Sequence, residues 1–234
     1  GKKIKAKGGY REAVRSKGTQ VVTCLGVEGL WCLLIVPVPW SSRSWALPFG
    51  TMLQFSKKAE EAASKRHKTS LDWTIQALTV IRRWEPLRGI LLLVDGGFAS
   101  FDLLEECCRF HLTLICRLRI EAKLEEFPPA SVKGQRGPKP KKGELRTALK
   151  TKALDETQAW EKAKLPWYQE DEKTISYLSG GALRHKTKHL PIALKGVLVR
   201  LEGKKHPQAF FSNDVALEAL DLLKPYLFRW KVEV

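Results

Sequence analysis

Two short stretches of this sequence combine residue types that handle phosphate and divalent metal. Val94-Asp95-Gly96-Gly97-Phe98 ends a continuously apolar run that begins at Ile90. In open α/β sheets ligands gather at the carboxyl ends of the strands, so a carboxylate there suits a Mg²⁺ ligand, and two following glycines let a backbone or phosphate come close. A helix-capping or loop aspartate occupies the same kind of place, and the motif alone does not separate the two readings. Near the other end, Tyr226, Arg229 and Glu233 stand at i, i+3 and i+7, which projects all three from one helix face. An arginine one turn from a glutamate also serves as a plain surface ion pair, worth a few tenths of a kcal/mol.

The elements that would position these residues follow from patterning. Gly1 to Lys17 reads as a basic arm, with seven Lys or Arg against Glu12 alone. Val21 to Leu25 and Leu30 to Val38 are β-branched and apolar around a Glu28-Gly29 turn signal, which predicts a hairpin ended by Pro37 and Pro39. Thr69 or Ser70 can cap a helix whose apolar positions Leu71, Ile75, Leu78 and Ile81 recur at helical spacing, with Pro86 and Gly89 stopping it. Trp31, Trp73 and Trp84 lie on apolar faces and are expected in a core. Ile90 to Val94 then reads as a parallel strand buried on both faces, Ser100 to His111 as a helix and Leu112 to Cys116 as a second buried strand. That order predicts an α/β sheet with right-handed crossovers.

From Arg117 the texture changes. A Gly/Pro/Lys loop, Lys133 to Gly143, cannot pack a core, and short strands are expected at Thr174 to Leu178, Val197 to Leu201 and Ala209 to Ser212. Residues 119–213 therefore read as a mainly β insertion between residues 1–118 and a terminal helical segment, 214–234, broken at Lys224-Pro225.

Charge narrows the partner. Lys+Arg 41 against Asp+Glu 25 leaves +16 over 234 residues, and 44% hydrophobic residues suffice for a core, so this is a folded basic protein suited to a polyanion. The longest apolar stretches fall well short of the ~20 residues that cross a bilayer, and no leader-like segment opens the chain, so no membrane partner is expected. Five cysteines without a C-x-x-C pair argue against a disulfide framework or zinc ribbon and read as small buried apolar residues in a reducing, cytoplasmic setting. No G-x-G-x-x-G or Walker lysine supports a nucleotide-binding enzyme. The only methionine is Met52, so either processing has occurred or something upstream is missing.

Asp95-Gly96-Gly97-Phe98 resembles the second motif of bacterial insertion-sequence DDE transposases, and Tyr226-x2-Arg229-x3-Glu233 matches the first three members of their Tyr-x2-Arg-x3-Glu-x6-Lys signature. The signature's lysine would fall beyond Val234. Tyr10 to Ser16, Trp45 to Pro48, His67-Lys68-Thr69, Cys116 to Arg119, the Gly134 to Lys142 loop and Arg229-Trp230 extend the likeness over nearly the whole chain.

The resemblance implies a ribonuclease-H-like catalytic core with a β-rich insertion subdomain between the second Asp and the Glu. It implies a DNA transposase in which Asp95 and Glu233 are catalytic and bind two Mg²⁺ ions, with Mn²⁺ a possible substitute. Tyr226 and Arg229 would hold a DNA phosphate, and His67 and Lys68 would contact the DNA backbone. Arg136, Lys139, Lys141 and Lys142 of the basic loop would contact phosphate or serve a solvated linker. The implied partners are transposon ends and target DNA, with a homodimer in synapsis, in a bacterial, nucleoid-associated setting. The family's first aspartate precedes the segment that matches Gly1 to Lys17, so the chain is expected to be an incomplete transposase that binds DNA without cleaving or joining it. A non-catalytic basic DNA-binding remnant of a mobile element is the alternative.

Overall fold

The computed structural model describes residues 8–12, 15, 16, 19–40, 44–130, 139–167, 172–203 and 206–229. The chain divides into two compact units at Pro86/Leu87. The architecture is mixed α/β and mostly β.

In the first unit, β1 (Gly8–Arg11) pairs antiparallel with β2 (Thr23–Gly26), and β3 (Glu28–Val36) pairs antiparallel with β4 (Trp45–Gln54). The predicted hairpin between 21–25 and 30–38 is therefore corrected. Its first strand turns back onto the expected basic arm, where Ser16 and Val22 exchange hydrogen bonds that close the loop early. Its second strand needs a partner of its own length, and 45–54 supplies it. Helix α1 (Lys57–Ala62) follows, capped by Ser56.

Helix α2 (Ser70–Trp84) begins where the sequence indicated. The Thr69 hydroxyl accepts from the Asp72 amide, and the Asp72 carboxylate accepts from the Thr69 amide, a reciprocal capping box. Leu78 and Thr74 face inward, but Trp31 and Trp84 are 61% and 65% exposed and so are not the core residues expected. Two-stranded sheets offer too little apolar cover to bury so many aromatic rings.

The second unit is built on one six-stranded sheet in the order β5-β6-β10-β9-β8-β7. Strand β5 (Leu91–Val94) runs parallel to β6 (Thr113–Leu118), with α3 (Phe101–Arg109) as the crossover between them. Strand β5 lies at the sheet's edge with Leu91 exposed, not buried on both faces.

After α4 (Leu149–Lys152), the antiparallel strands β7 (Glu161–Pro166), β8 (Glu172–Arg184), β9 (Ile192–Leu201) and β10 (Gln208–Ser212) extend that same sheet. The β-rich stretch after residue 119 is thus continuous with β6.

Helix α5 (Ala219–Phe228) packs Leu222, Leu223, Tyr226 and Leu227 into a core with Trp167, Phe210, Val197 and Ile115. It runs through Pro225 without the expected break, because two apolar pairs on either side of the proline hold it to the sheet. No helix among the described residues is long and apolar enough to cross a membrane.

Candidate nucleic-acid and phosphate site

Asp95 stands at the carboxyl end of β5 and caps a short 3₁₀ turn, Gly96–Phe98, where its Oδ1 accepts the Gly96 amide at 2.8 Å. Its side chain is 61% exposed. The capping role expected of an ordinary loop aspartate is therefore real, and it leaves most of the carboxylate in solvent. An added Cβ at Gly97 would meet nothing, and at Gly96 only ordinary contacts with Arg117, so the protein's own packing does not demand these glycines.

Arg229, at the C-terminus of α5, brings its Nη2 to 3.5 Å from the same Asp95 oxygen, a distance for an ion pair rather than a hydrogen bond. Its guanidinium carbon lies 5.3 Å from the centre of the Tyr226 ring. Tyr226 itself is 1% exposed and packs edge-on against Phe210 with 4.9 Å between ring centres. Its ring supports Arg229 from within the core, whereas the family resemblance gives Tyr226 a DNA phosphate to hold. Glu233 and Arg136 lie outside the described residues.

Beneath Asp95 sits the buried Cys116 of β6, whose thiol donates to the Asp95 carbonyl at 3.3 Å. Burial, with a smaller contribution from the Asp95 charge, pushes this thiol up to about 12, so it is inert packing.

A residue that sequence reasoning did not find, Arg184 at the end of β8, donates from Nη2 to the Ala99 carbonyl at 2.9 Å and so ties the far strand to the turn that follows Asp95. Burial lowers its pKa. Nothing local marks Arg184, because its contact spans 85 positions.

An open cleft of about 450 Å³ adjoins Asp95, with Arg117, Arg119, Glu121 and His206 among its exposed lining. Arg117 and Arg119 at the exit of β6 share that lining with the carboxylates of Asp95 and Glu121.

In the first unit, His67 Nδ1 meets Glu60 Oε2 at 2.5 Å, and the same oxygen accepts the Lys68 amide at 3.2 Å. Glu60 is only 6% exposed, so a buried carboxylate fixes the His67 ring and leaves Nε2 as its remaining polar atom. Lys68 donates to Gln76 at 2.7 Å and lies 4.5 Å above the Trp73 ring. In the basic loop, Lys142 pairs with Glu125 at 2.5 Å, while Lys139 and Lys141 are exposed.

Among the described residues no three His, Cys, Asp or Glu side chains are grouped to hold a metal ion. Asp95 by its exposure fits one ligand position and no more. A scan of protein-family models finds no match to this chain, and a search of curated proteins finds no similar sequence.

Proposed function

We propose that this chain is part of a DNA transposase of the insertion-sequence DDE type, with a ribonuclease-H-like core. The supporting observation is the meeting of Asp95 and Arg229, two motif residues remote in sequence, at 3.5 Å. A parallel β5-β6 pair with its crossover helix, and a terminal helix packed on the same sheet, are compatible with such a core.

Strand cleavage and strand transfer are both in-line displacements at phosphorus, which place negative charge on the phosphoryl oxygens. Arg229, set beside the Tyr226 ring, offers a planar donor fork for those oxygens. Asp95 and Glu233 are the residues that would hold Mg²⁺, or Mn²⁺ in its place, and the metal would supply Lewis-acid activation of the attacking and leaving oxygens. DNA, as transposon end and target, is the partner, with a homodimer at synapsis.

The alternative is a non-catalytic DNA-binding remnant, in which the Asp95–Arg229 ion pair is only structural.

Iron-directed backbone cleavage separates the two. With Fe²⁺ and ascorbate, hydroxyl radicals cut a chain beside its bound metal. The transposase reading expects cuts near both residue 95 and residue 233, both lost in Asp95→Asn and in Glu233→Gln. Cuts at one position only, or cuts that survive both substitutions, would leave the remnant reading.

A further inference from the structure

We propose that the groove along α2 in the first unit is a binding track for the phosphate backbone of duplex DNA, with Arg66 and Arg83 as its anchoring cations. The proposal rests on the DNA-binding reading but concerns residues outside the Asp95 site. The groove, about 440 Å³, is lined by Arg66 and Lys68 at one end, Arg83 at the other, and Gln76 and Thr79 between them. Asp72, Gln76, Thr79 and Arg83 follow one another at i, i+4, i+7 and i+11, so they form a single stripe on the helix.

The charge along that stripe is one-sided. Asp72 is the lone carboxylate in the lining, and its Oδ2 is committed to the Thr69 amide at 2.8 Å and the Thr69 hydroxyl at 2.6 Å. Those bonds, with help from Arg66 and His67, hold its pKa below the usual carboxylate range, so it stays a capping anion.

Arg66 and Arg83 are both exposed. From the start of α2 to Arg83 the helix rises about 20 Å at 1.5 Å per residue. That length covers about six base-pair steps of a duplex at 3.4 Å per strand phosphate. A lone phosphate ion would engage one end only.

The lining also argues against base recognition and against single strands. Its apolar members are Ile75 and Val80, with no aromatic ring on which a base could stack, and the nearby Trp73 is covered by Lys68. What remains is charge at each end and neutral amide and hydroxyl groups between, a lining that positions a backbone without reading sequence. Lys68 at its upper end adjoins His67, so the track is continuous with the histidine that Glu60 orients.

The test is the salt dependence of binding to a 20-base-pair duplex of arbitrary sequence, measured by fluorescence anisotropy with the 234-residue chain. Arg66→Gln and Arg83→Gln are each expected to weaken binding severalfold and to reduce the slope of log K against log salt by about 1. Lys57→Gln, on α1 where the lysine faces Glu61, is expected to keep the wild-type slope. Wild-type slopes in both arginine variants would overturn the track, as would tighter arginine-dependent binding of a single strand of equal length. Should the arginine variants lose slope while the iron-directed cuts prove independent of Asp95, the track stands and the transposase reading falls.

Discussion

Cys116 shows how a residue can sit at a candidate site and take no chemical part in it. It touches the Asp95 backbone, yet burial pushes its thiol up to about 12, as it does for Cys107 on α3. Both thiols remain protonated in the fold, whereas in the unfolded chain they titrate near 9. Their contribution is therefore fully present below pH 9 and is lost as the pH climbs from there toward 12, because the unfolded state releases its protons first. Each thiol should cost about 1.4 kcal/mol of stability per pH unit in that window. Urea midpoints of the second unit at pH 8, 9, 10 and 11 check the slope, and Cys116→Ala should remove about half of it. Cys24, which is exposed, corrects the expectation that all five cysteines are buried, and it should be the first to react with a disulfide reagent at pH 8. At this scale the sequence pointed to Asp95 and Arg229 because each belongs to a short spaced motif. Glu60 and Arg184 left no such trace, since their work depends on partners brought near only by folding.

Elements were legible where their signals are local. The start of α2 is the clearest case: Thr69 caps it, Asp72 answers from the third helical position, and Pro86 stands just past its end. Removing that cap tests how much of α2 rests on it. Thr69→Ala should lower the stability of the first unit by about 1 kcal/mol, read as a drop in its thermal or urea midpoint, and Thr69→Ser should restore most of the loss. Strand pairing was less legible because an apolar run does not say which other run it joins. Residues 21–25 and 30–38 look like neighbours in a hairpin, yet Gly8↔Gly26 and Val36↔Trp45 registers show that each found another strand. The strand at 161–166 was missed altogether, since Lys162, Lys164 and Pro166 gave it the look of a loop. It lies at a sheet edge, where charge and proline are tolerated and useful against aggregation. Pro225 misled in the opposite direction: it reads as a break but is carried inside α5, where the buried Leu222, Leu223, Tyr226 and Leu227 hold the helix to its core.

At the scale of the whole molecule the two units differ in how they bury apolar surface, and that difference should appear in their unfolding. Among the described residues the second unit packs Trp167, Tyr226, Phe210 and Phe211 fully inside, and leucines of α3, β6 and α5 are buried as well. The described residues of the first unit contribute Leu78 as their buried hydrophobic, while Trp31, Trp40, Trp45, Phe49, Leu53 and Trp84 are all at least 40% exposed. Stability scales with apolar area removed from water at about 25 cal/mol per Å², so the unit with the smaller enclosed core should open first. A single cooperative transition is then not expected. In hydrogen exchange, amides of β3, β4 and α2 should exchange well before those of β6, β9 and α5. In urea, tryptophan fluorescence should change early, because five of the eight tryptophans precede Pro86, and far-ultraviolet dichroism should follow in a later step. Coincident transitions by both probes, with equal protection in β3 and β9, would mean that the two units fold as one cooperative body.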